Sequence, residues 1–149
     1  MRQFIVLGKE CLMEDSDYFK YLPYGYSLRH DGKGYYSLIF SGGKLRGSVV
    51  SRVLLNAPPD RKVDHIDGNS LNNLRANLRL ATDSQSMANR GSVNSLGLKG
   101  VSKNRNGYAA SIMVNKKKIY LGTFPFASMA AAAYDRAAKH YFGDFAQTN

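Results

Sequence analysis

The sequence predicts an α+β protein in which a β-rich N-terminal part is followed by a three-stranded antiparallel sheet packed on one helix. Short β-prone runs separated by turn residues fill residues 1–55. Three more β-prone runs begin near residue 98, and an alanine-rich stretch with helical spacing follows them. The 149 residues and 44% hydrophobic content fit a globular chain of one domain or two small ones.

The first part of the chain carries the runs QFIVL, GYYSLIF and GSVVSRVLL, separated by YGYS, HDGKG and SGGK. Turn residues between β-prone runs predict short antiparallel strands. NAPPDRK then leads into the stretch VDHIDGNSLNNLRANLRLAT, residues 63–82. Its last residues, NLRLAT, predict a strand, and DSQSMANR predicts a helix capped by Thr82 or Asp83.

A small, polar and Gly-rich segment, GSVNSLG at 91–97, predicts a linker between domains at 1–90 and 98–149. Beyond it, KGVSKN, GYAASIMV and KKKIYLGTF predict three strands, the last two joined by a tight Asn-Lys turn. FPFASMAAAAYDRAAKHYF predicts a helix from apolar positions at three- and four-residue spacing. These positions are Phe126, Ala130, Ala133, Ala137 and Tyr141.

The charge of the chain favours a polyanionic partner. Its 21 Lys and Arg exceed its 11 Asp and Glu, for a formal charge of +10, and residues 96–149 hold eight bases and only two acids. Nucleic acid is therefore the first partner to expect.

The sequence argues against a membrane protein, a secreted protein and a protein built on cysteine pairs. No apolar run approaches the roughly 20 residues of a membrane span, and no secretory signal is evident, so we expect no membrane and a cytoplasmic location. Cys11 is the single cysteine, which excludes an internal disulfide and a cysteine-based zinc ribbon.

Residues 63–82 form a candidate site for phosphodiester chemistry. Asp64 and His65 are adjacent at the end of a predicted strand, so their side chains diverge. A carboxylate suits a divalent cation, and a neutral imidazole suits proton abstraction from water. Gly68 allows a sharp turn, and the asparagines that follow can fix the loop backbone. The alternative is an Asx-rich turn that carries an incidental surface histidine.

This stretch, preceded by SRVLLNAPPDRK and followed by DSQSMANR, resembles the HNH nuclease motif over residues 45–90. The likeness is greatest to the type found in phage and intron-borne homing endonucleases. It implies a ββα-metal fold around one divalent ion, Mg²⁺ or alternatively Mn²⁺. Asp64 would bind the ion, His65 would activate water, and Asn77 would fix the hairpin loop.

The chain departs from this family at two places. The family takes a second metal ligand, His or Asn, from the following helix, where this chain has Ser86. Asn89 lies three residues further along the same helical face and is an alternative ligand. Ser51-Arg52 stands where the family commonly has a His-Arg pair. A serine hydroxyl is a weaker ligand, which predicts a weakened enzyme.

In the C-terminal part, GV, AAxI, LGTF and AAxAYDRAA occur in order and resemble the plant APETALA2/ethylene-response-factor DNA-binding domain over residues 97–149. That resemblance implies a sheet in the DNA major groove with the helix behind it. Alternation along the strands predicts that one face meets the helix and leaves the other for DNA. The predicted DNA face carries Lys103, Arg105, Ser111, Met113, Lys118 and Tyr120.

Some basic residues have two interpretations. Lys116 to Lys118 either form a solvated hairpin turn or contact phosphates, and the basic face favours at least one phosphate contact, from Lys116 or Lys118. Arg75 and Arg79 either contact the scissile strand or pair with nearby acids.

Together these features predict a metal-dependent DNA endonuclease, homing-endonuclease-like by resemblance, that hydrolyses phosphodiester bonds in double-stranded DNA. A monomer would nick one strand, whereas a homodimer could cut both. The alternatives are a non-catalytic DNA-binding protein with a degenerate HNH site, and an RNA-directed or structural role.

Overall fold

The computed structural model describes residues 1–32, 34–90 and 94–149. Within these residues the chain is a mixed α+β protein of small antiparallel sheets and a few helices, as the sequence predicts. It divides into two compact units, Met1–Ala81 and Thr82–Asn149. Residues 91–93 of the predicted linker lie outside the described residues. In the part of the chain that is described, no helix has the length and apolar character to cross a membrane.

In its described residues, the first unit contains three two-stranded antiparallel hairpins and two short α-helices. They are β1 (Arg2–Val6), β2 (Lys9–Met13), α1 (Asp15–Tyr21), β3 (Tyr26–His30), β4 (Tyr36–Phe40), α2 (Val50–Leu54), β5 (Lys62–His65) and β6 (Leu78–Ala81). Each odd-numbered strand pairs with the next one along the chain, and the β5–β6 pair holds the candidate site.

The predicted strand in GSVVSRVLL is wrong, because the segment forms helix α2. Val50 and Leu54 lie one helical turn apart and are both buried, so the helix places them together in the core. Arg52 donates to the carbonyl oxygens of Ala57 and Pro58 at 3.2 and 2.9 Å and fixes the chain after the helix. Tertiary packing therefore overrides the β-propensity of the valines.

Among the described residues of the first unit, one cluster of buried apolar residues draws on all three hairpins. Its members are Val6, Cys11, Met13, Leu38, Phe40, Val50, Leu54, Leu71 and Leu78. Burial raises the pKa of Cys11 to about 11, so the thiol stays protonated and packs as a small apolar group.

The second unit follows the predicted order of elements. It contains α3 (Asp83–Ala88), β7 (Val101–Asn104), β8 (Gly107–Val114), β9 (Lys117–Phe124) and α4 (Ala127–Phe142). The strands form one antiparallel sheet in the order β7-β8-β9. Asn115 and Lys116 both have positive φ, 48° and 66°, which confirms the predicted two-residue turn. Thr82 caps α3 in a capping box with Gln85.

The buried face of α4 differs from the predicted stripe. Phe126 and Tyr141 are 65% and 43% exposed, whereas Tyr134 and Phe142 are buried. The helix begins after Phe126, at Ala127. Its buried stripe consists of residues four positions apart: Ala130, Tyr134, Ala138 and Phe142. A Cβ on Gly100 would overlap the Tyr134 ring, so a glycine allows this close approach.

Helix α3 packs with the second unit. The Lys99 Nζ donates to the carbonyl oxygens of Ala88 and Arg90 and so caps the C-terminal end of the helix. Near its start, the Ser84 Oγ accepts from the backbone N–H of Asn115 at 2.7 Å. The boundary between the compact units accordingly lies before α3, at residues 81 and 82.

Candidate active site

The loop between β5 and β6 is organised around the carboxylate of Asp67. Its Oδ1 accepts from the Asn69 backbone N–H at 2.8 Å and from the Asn77 Nδ2 at 2.9 Å. Its Oδ2 accepts from the Asn72 Nδ2 at 2.8 Å. Burial acts to raise the pKa of Asp67, but these hydrogen bonds outweigh it and hold the pKa below its ordinary value. Asp67 is therefore ionised, and its carboxylate holds the loop together by accepting these three hydrogen bonds.

Asn77 closes the same loop from the far side. Its Oδ1 accepts from the Asp67 backbone N–H at 3.1 Å, and its Nδ2 also donates to the Asn72 carbonyl at 2.9 Å. Gly68 has φ +75° at the sharp turn. This geometry is compatible with the loop-fixing role that the HNH resemblance implies for Asn77.

His65 is buried, with only 8% of its surface exposed, so the alternative of a surface histidine is wrong. Its Nε2 lies 3.5 Å from Oδ1 of Asn73, which is itself 1% exposed. Burial lowers the pKa of His65, against the opposing effects of the Asn73 hydrogen bond and the carboxylates of Asp67 and Asp64. The imidazole is therefore neutral at neutral pH, as a proton acceptor requires.

Asp64 is also buried, at 6% exposure, and is paired across the hairpin. It lies opposite Arg79 in the β5–β6 register, and the Arg79 Nε donates to its Oδ2 at 2.9 Å. Of the two interpretations of Arg79, pairing with a nearby acid is the one that the structure shows.

Arg75 likewise pairs with acids. Its Nε and Nη2 donate to the two carboxylate oxygens of Asp17 at 2.7 and 2.8 Å, and its backbone N–H donates to Glu14 Oε1 at 2.9 Å. Its Nη1 donates to the Leu54 carbonyl at 2.9 Å. Arg75 thus joins α1 and α2 to the end of the site loop.

The N-terminal hairpins form the scaffold of the site. The Leu12 N–H of β2 donates to the Leu71 carbonyl at 3.0 Å, and the Asn73 N–H donates to the Leu12 carbonyl at 2.8 Å. The Ser70 hydroxyl donates to the Tyr36 carbonyl of β4. Residues 1–45 therefore hold the loop that carries Asp67, Asn73 and Asn77, a role that their own sequence pattern does not indicate.

The two predicted ligands from the following helix lie in the second unit. Ser86 is in α3 and Asn89 is its C-terminal cap, and both are half-buried. Among the residues described, no group of three or more His, Cys, Asp or Glu side chains could hold a metal ion.

The outer face of the β7-β8-β9 sheet, the face turned away from α4, presents polar and basic side chains. Ser111 lies opposite Tyr120, and Met113 opposite Lys118, so these four share one face. The Tyr120 hydroxyl lies 2.6 Å from the Thr123 hydroxyl. Asn104 Nδ2 also donates to that hydroxyl at 3.3 Å, so both Thr123 and Asn104 belong to the face, although neither is among the predicted residues.

The expectation that Lys103 shares this face is wrong. Lys103 lies opposite Tyr108, in the same alternation as the buried pair Val101 and Ala110 on the helix side of the sheet. It is exposed because it lies near the end of the strand. Arg105 is exposed in the turn between β7 and β8, and Lys116 is exposed in the turn between β8 and β9.

Comparison with known proteins finds similarity at this site. Residues 57–88 match the family described as HNH endonuclease. The chain is also 36% identical over 122 residues to an uncharacterized HNH endonuclease of Acanthamoeba polyphaga mimivirus. That alignment covers 79% of this chain and 64% of the viral protein, so the chain spans less than two thirds of the relative's length. Residues 57–88, which include Asp64, His65 and Asn77, are thus the part of the chain that is similar to the HNH endonuclease family.

Proposed function

We propose that the chain is a metal-dependent endonuclease that hydrolyses phosphodiester bonds in double-stranded DNA. One observation carries the proposal: within the segment that matches the HNH family, a buried carboxylate, Asp64, and a buried imidazole, His65, are adjacent at the end of a strand. The loop beside them is fixed through Asp67 and Asn77. Homing-endonuclease-like behaviour is the corresponding proposal for its biological role.

The candidate donors fit a hard divalent cation. Asp64 supplies a carboxylate, which suits Mg²⁺, with Mn²⁺ as the alternative. The HNH resemblance alone makes Ser86 or Asn89 the proposed second ligand. Mg²⁺ commonly binds through one or two carboxylates and keeps several waters, so the small number of acidic ligands is compatible with it. When bound, the ion would supply positive charge to the scissile phosphate and to the departing 3′ oxygen.

The chain's own residues perform the proton transfer and the positioning. The neutral imidazole of His65 would take a proton from the attacking water, a contribution of about 10²–10⁴-fold in rate. Asp67 and Asn77 keep the loop in one conformation, so that the imidazole does not have to be ordered during the reaction. Arg79 holds the Asp64 carboxylate in place and partly balances its charge.

The second unit would bind the duplex. Its outer sheet face combines Lys118, Tyr120, Ser111 and Met113, and Arg105 and Lys116 extend from the adjacent turns. Basic side chains supply the phosphate contacts that dominate affinity for DNA. The APETALA2-like sequence pattern supports this proposal, and it agrees with the concentration of positive charge in residues 96–149.

A supercoiled-plasmid assay with Mg²⁺ or Mn²⁺ tests the proposal, comparing the native chain with His65→Ala and with His30→Ala as the matched control. His30 is exposed in β3, so its replacement should leave cleavage intact. Metal-dependent conversion to nicked circle that disappears only in His65→Ala supports the nuclease. Cleavage without metal, or cleavage that survives in His65→Ala, contradicts it. Linear product would indicate a homodimer, and stronger competition by RNA than by duplex DNA would contradict the DNA substrate.

A non-catalytic DNA-binding protein is the second candidate. It is favoured by Ser86, which stands where the family has a His or Asn ligand. Ser86→Asn separates the two proposals. Cleavage gained by Ser86→Asn from an inactive native chain supports the second candidate, whereas an already active native chain contradicts it.

A further inference from the structure

We infer that an exposed loop of the first unit, residues 41–48, binds the phosphate backbone of duplex DNA through Lys44 and Arg46. We call residues 41–48 the basic loop. The inference rests on the proposed function, which makes duplex DNA the substrate. It adds to that function a contact that lies outside both the HNH segment at 57–88 and the sheet of the second unit.

The positive charge of the first unit is concentrated around this loop. Residues 32–59 contain four Lys or Arg and no Asp or Glu. In the rest of residues 1–81, eight Lys or Arg are balanced by eight Asp or Glu. The formal +4 of the unit therefore resides in the stretch that includes the basic loop, and such a surface favours a polyanion.

Lys44 and Arg46 are both exposed, and among the described residues neither forms an ion pair with an acid. The other arginines of the first unit are engaged within the chain. Carboxylates pair with Arg2, Arg61, Arg75 and Arg79, and backbone carbonyl oxygens accept from Arg29 and Arg52. The charges of Lys44 and Arg46 are therefore available to an external anion.

The backbone of the basic loop is held in place before any partner binds. The Gly47 N–H donates to the Phe40 carbonyl at 2.8 Å, and the Arg29 Nη2 donates to the Gly47 carbonyl at 2.6 Å. A Cβ on Gly43, which has φ +61°, would lie 2.8 Å from the Tyr24 ring, so a glycine allows this close packing. A loop that is ordered in advance loses less conformational entropy on binding.

The packing of the loop turns its two bases toward solvent. Leu45 lies between Lys44 and Arg46 and packs against the apolar cluster of the first unit. Arg29 is also exposed and lies beside the loop through its contact with Gly47, so it adds a third positive charge to the same surface. A guanidinium can contact a phosphate with two parallel hydrogen bonds, and an ammonium acts as a point charge.

Strand β4 connects the basic loop to the site loop. The Tyr36 carbonyl at the start of β4 accepts from the Ser70 hydroxyl, and the basic loop follows directly after Phe40 at the end of the strand. A strand of this length spans about 13 Å at about 3.3 Å per residue. That distance corresponds to about four base pairs of duplex at 3.4 Å each. A duplex bound at the site is therefore long enough to meet the basic loop as well.

The test is the binding of a fluorescent duplex to the full chain, measured by anisotropy across a salt series without metal, so that no cleavage occurs. Lys44→Gln/Arg46→Gln removes the two charges, and Lys44→Arg/Arg46→Lys keeps them. Lys20→Gln/Lys139→Gln is the matched control, because it lowers the net charge equally at exposed positions of α1 and α4. Thermal unfolding establishes that each variant is folded.

We expect Lys44→Gln/Arg46→Gln to reduce the slope of log K against log salt concentration by about 2, the loss of two phosphate contacts. Affinity should fall most at low salt, where each phosphate contact contributes most. The variant that keeps both charges should retain the native slope, and so should the control.

The outcomes for this inference and for the proposed function can be told apart. An unchanged slope in Lys44→Gln/Arg46→Gln, or an equal change in the control, overturns the role of the basic loop, and stronger competition by RNA than by duplex overturns its assignment to DNA. Binding that depends on the basic loop, without cleavage in Mg²⁺ or Mn²⁺, leaves the contact standing while the nuclease proposal fails. Metal-dependent cleavage that requires His65, with an unchanged slope, does the reverse.

Discussion

Arg79 donates from Nε to Oδ2 of Asp64 at 2.9 Å, directly across the β5–β6 hairpin. The side chains of the pair are 17% and 6% exposed. A carboxylate this deeply buried needs its partner, because removing one member leaves a charge in a medium of low dielectric constant. The pair therefore supports both the fold of the hairpin and the orientation of the proposed metal ligand.

We predict that Arg79→Ala lowers the free energy of unfolding by about 3 kcal/mol, the cost of breaking a buried ion pair. Urea denaturation followed by circular dichroism measures the change. Arg61→Ala is the matched control, since Arg61 pairs with Asp60 at 3.6 Å with both side chains largely exposed. An exposed pair contributes about 0–1 kcal/mol. Equal losses in the two variants would contradict the structural role of the Asp64 pair.

The pH dependence of cleavage should reflect the burial of His65. The base acts in its neutral form, and burial lowers its pKa below the ordinary value of 6.5. We therefore expect kcat/KM to stay level as pH falls through 6.5 and to decline only at lower pH, where the imidazole of the free enzyme becomes protonated. A pH profile of plasmid cleavage measures this. An acidic decline centred above pH 6.5 would refute the prediction.

The lowered pKa of His65 should also make the stability of the folded chain depend on pH. The unfolded chain, whose histidine has the ordinary pKa, binds a proton at higher pH than the folded chain does. His65 therefore contributes stability that is present above about pH 6.5 and is lost as pH falls toward its folded pKa. Thermal unfolding between pH 5 and 8 should show a smaller decline in His65→Ala than in the native chain.

Replacement of Arg75 by lysine should loosen the site loop although the charge is kept. The guanidinium contacts both oxygens of Asp17 and the Leu54 carbonyl, a fork that an ammonium cannot reproduce. We expect Arg75→Lys to lower the free energy of unfolding by about 1–2 kcal/mol, the worth of one or two hydrogen bonds to a charged group. Urea denaturation measures the loss.

Arg29→Lys is the control for Arg75→Lys. The guanidinium of Arg29 donates to the Gly47 carbonyl at 2.6 Å, a contact that an ammonium can replace. A loss in Arg29→Lys as large as that in Arg75→Lys would show that the fork geometry is unimportant.

Binding of duplex DNA by the second unit should depend on Lys118. We expect Lys118→Ala to weaken binding by a similar factor for all sequences and to reduce the slope of log K against log salt concentration by about 1, the loss of one phosphate contact. Fluorescence anisotropy across a salt series measures both. Lys139→Ala, an exposed change on α4, should leave the slope unaltered. If both variants change it equally, the sheet is not the DNA face.

Part of this structure is encoded locally. The alternation in β8 and β9 and the Asn-Lys turn predict the hairpin, because both depend on residues within a few positions of one another. The capping of α3 by Thr82 can also be predicted from the sequence, because the cap and the residue it contacts are three positions apart. The sequence also determines that Asp64 and His65 are adjacent at the end of a strand, as the structure has them.

Other features depend on contacts between distant parts of the chain. GSVVSRVLL has the composition of a strand, and α2 forms there because the core accepts Val50 and Leu54 together. Lys103 has the positive charge expected of a DNA contact, but the register of β7 against β8 places it on the side of the sheet that faces α4. Neither outcome is visible in the local pattern, since each depends on which surface the segment packs against.

By itself, the sequence determined the α+β class, the order of elements in the second unit and the adjacent carboxylate and imidazole at 64 and 65. The tertiary structure alone decided which asparagine contacts His65 and that the first 45 residues contact the loop of the site. Asn73 and Asn77 are equivalent as amides, and they differ because β2 holds one against the ring. Arg75 meets Asp17 and Glu14 across 58 and 61 residues, and only the folded chain brings such distant charges within hydrogen-bonding distance.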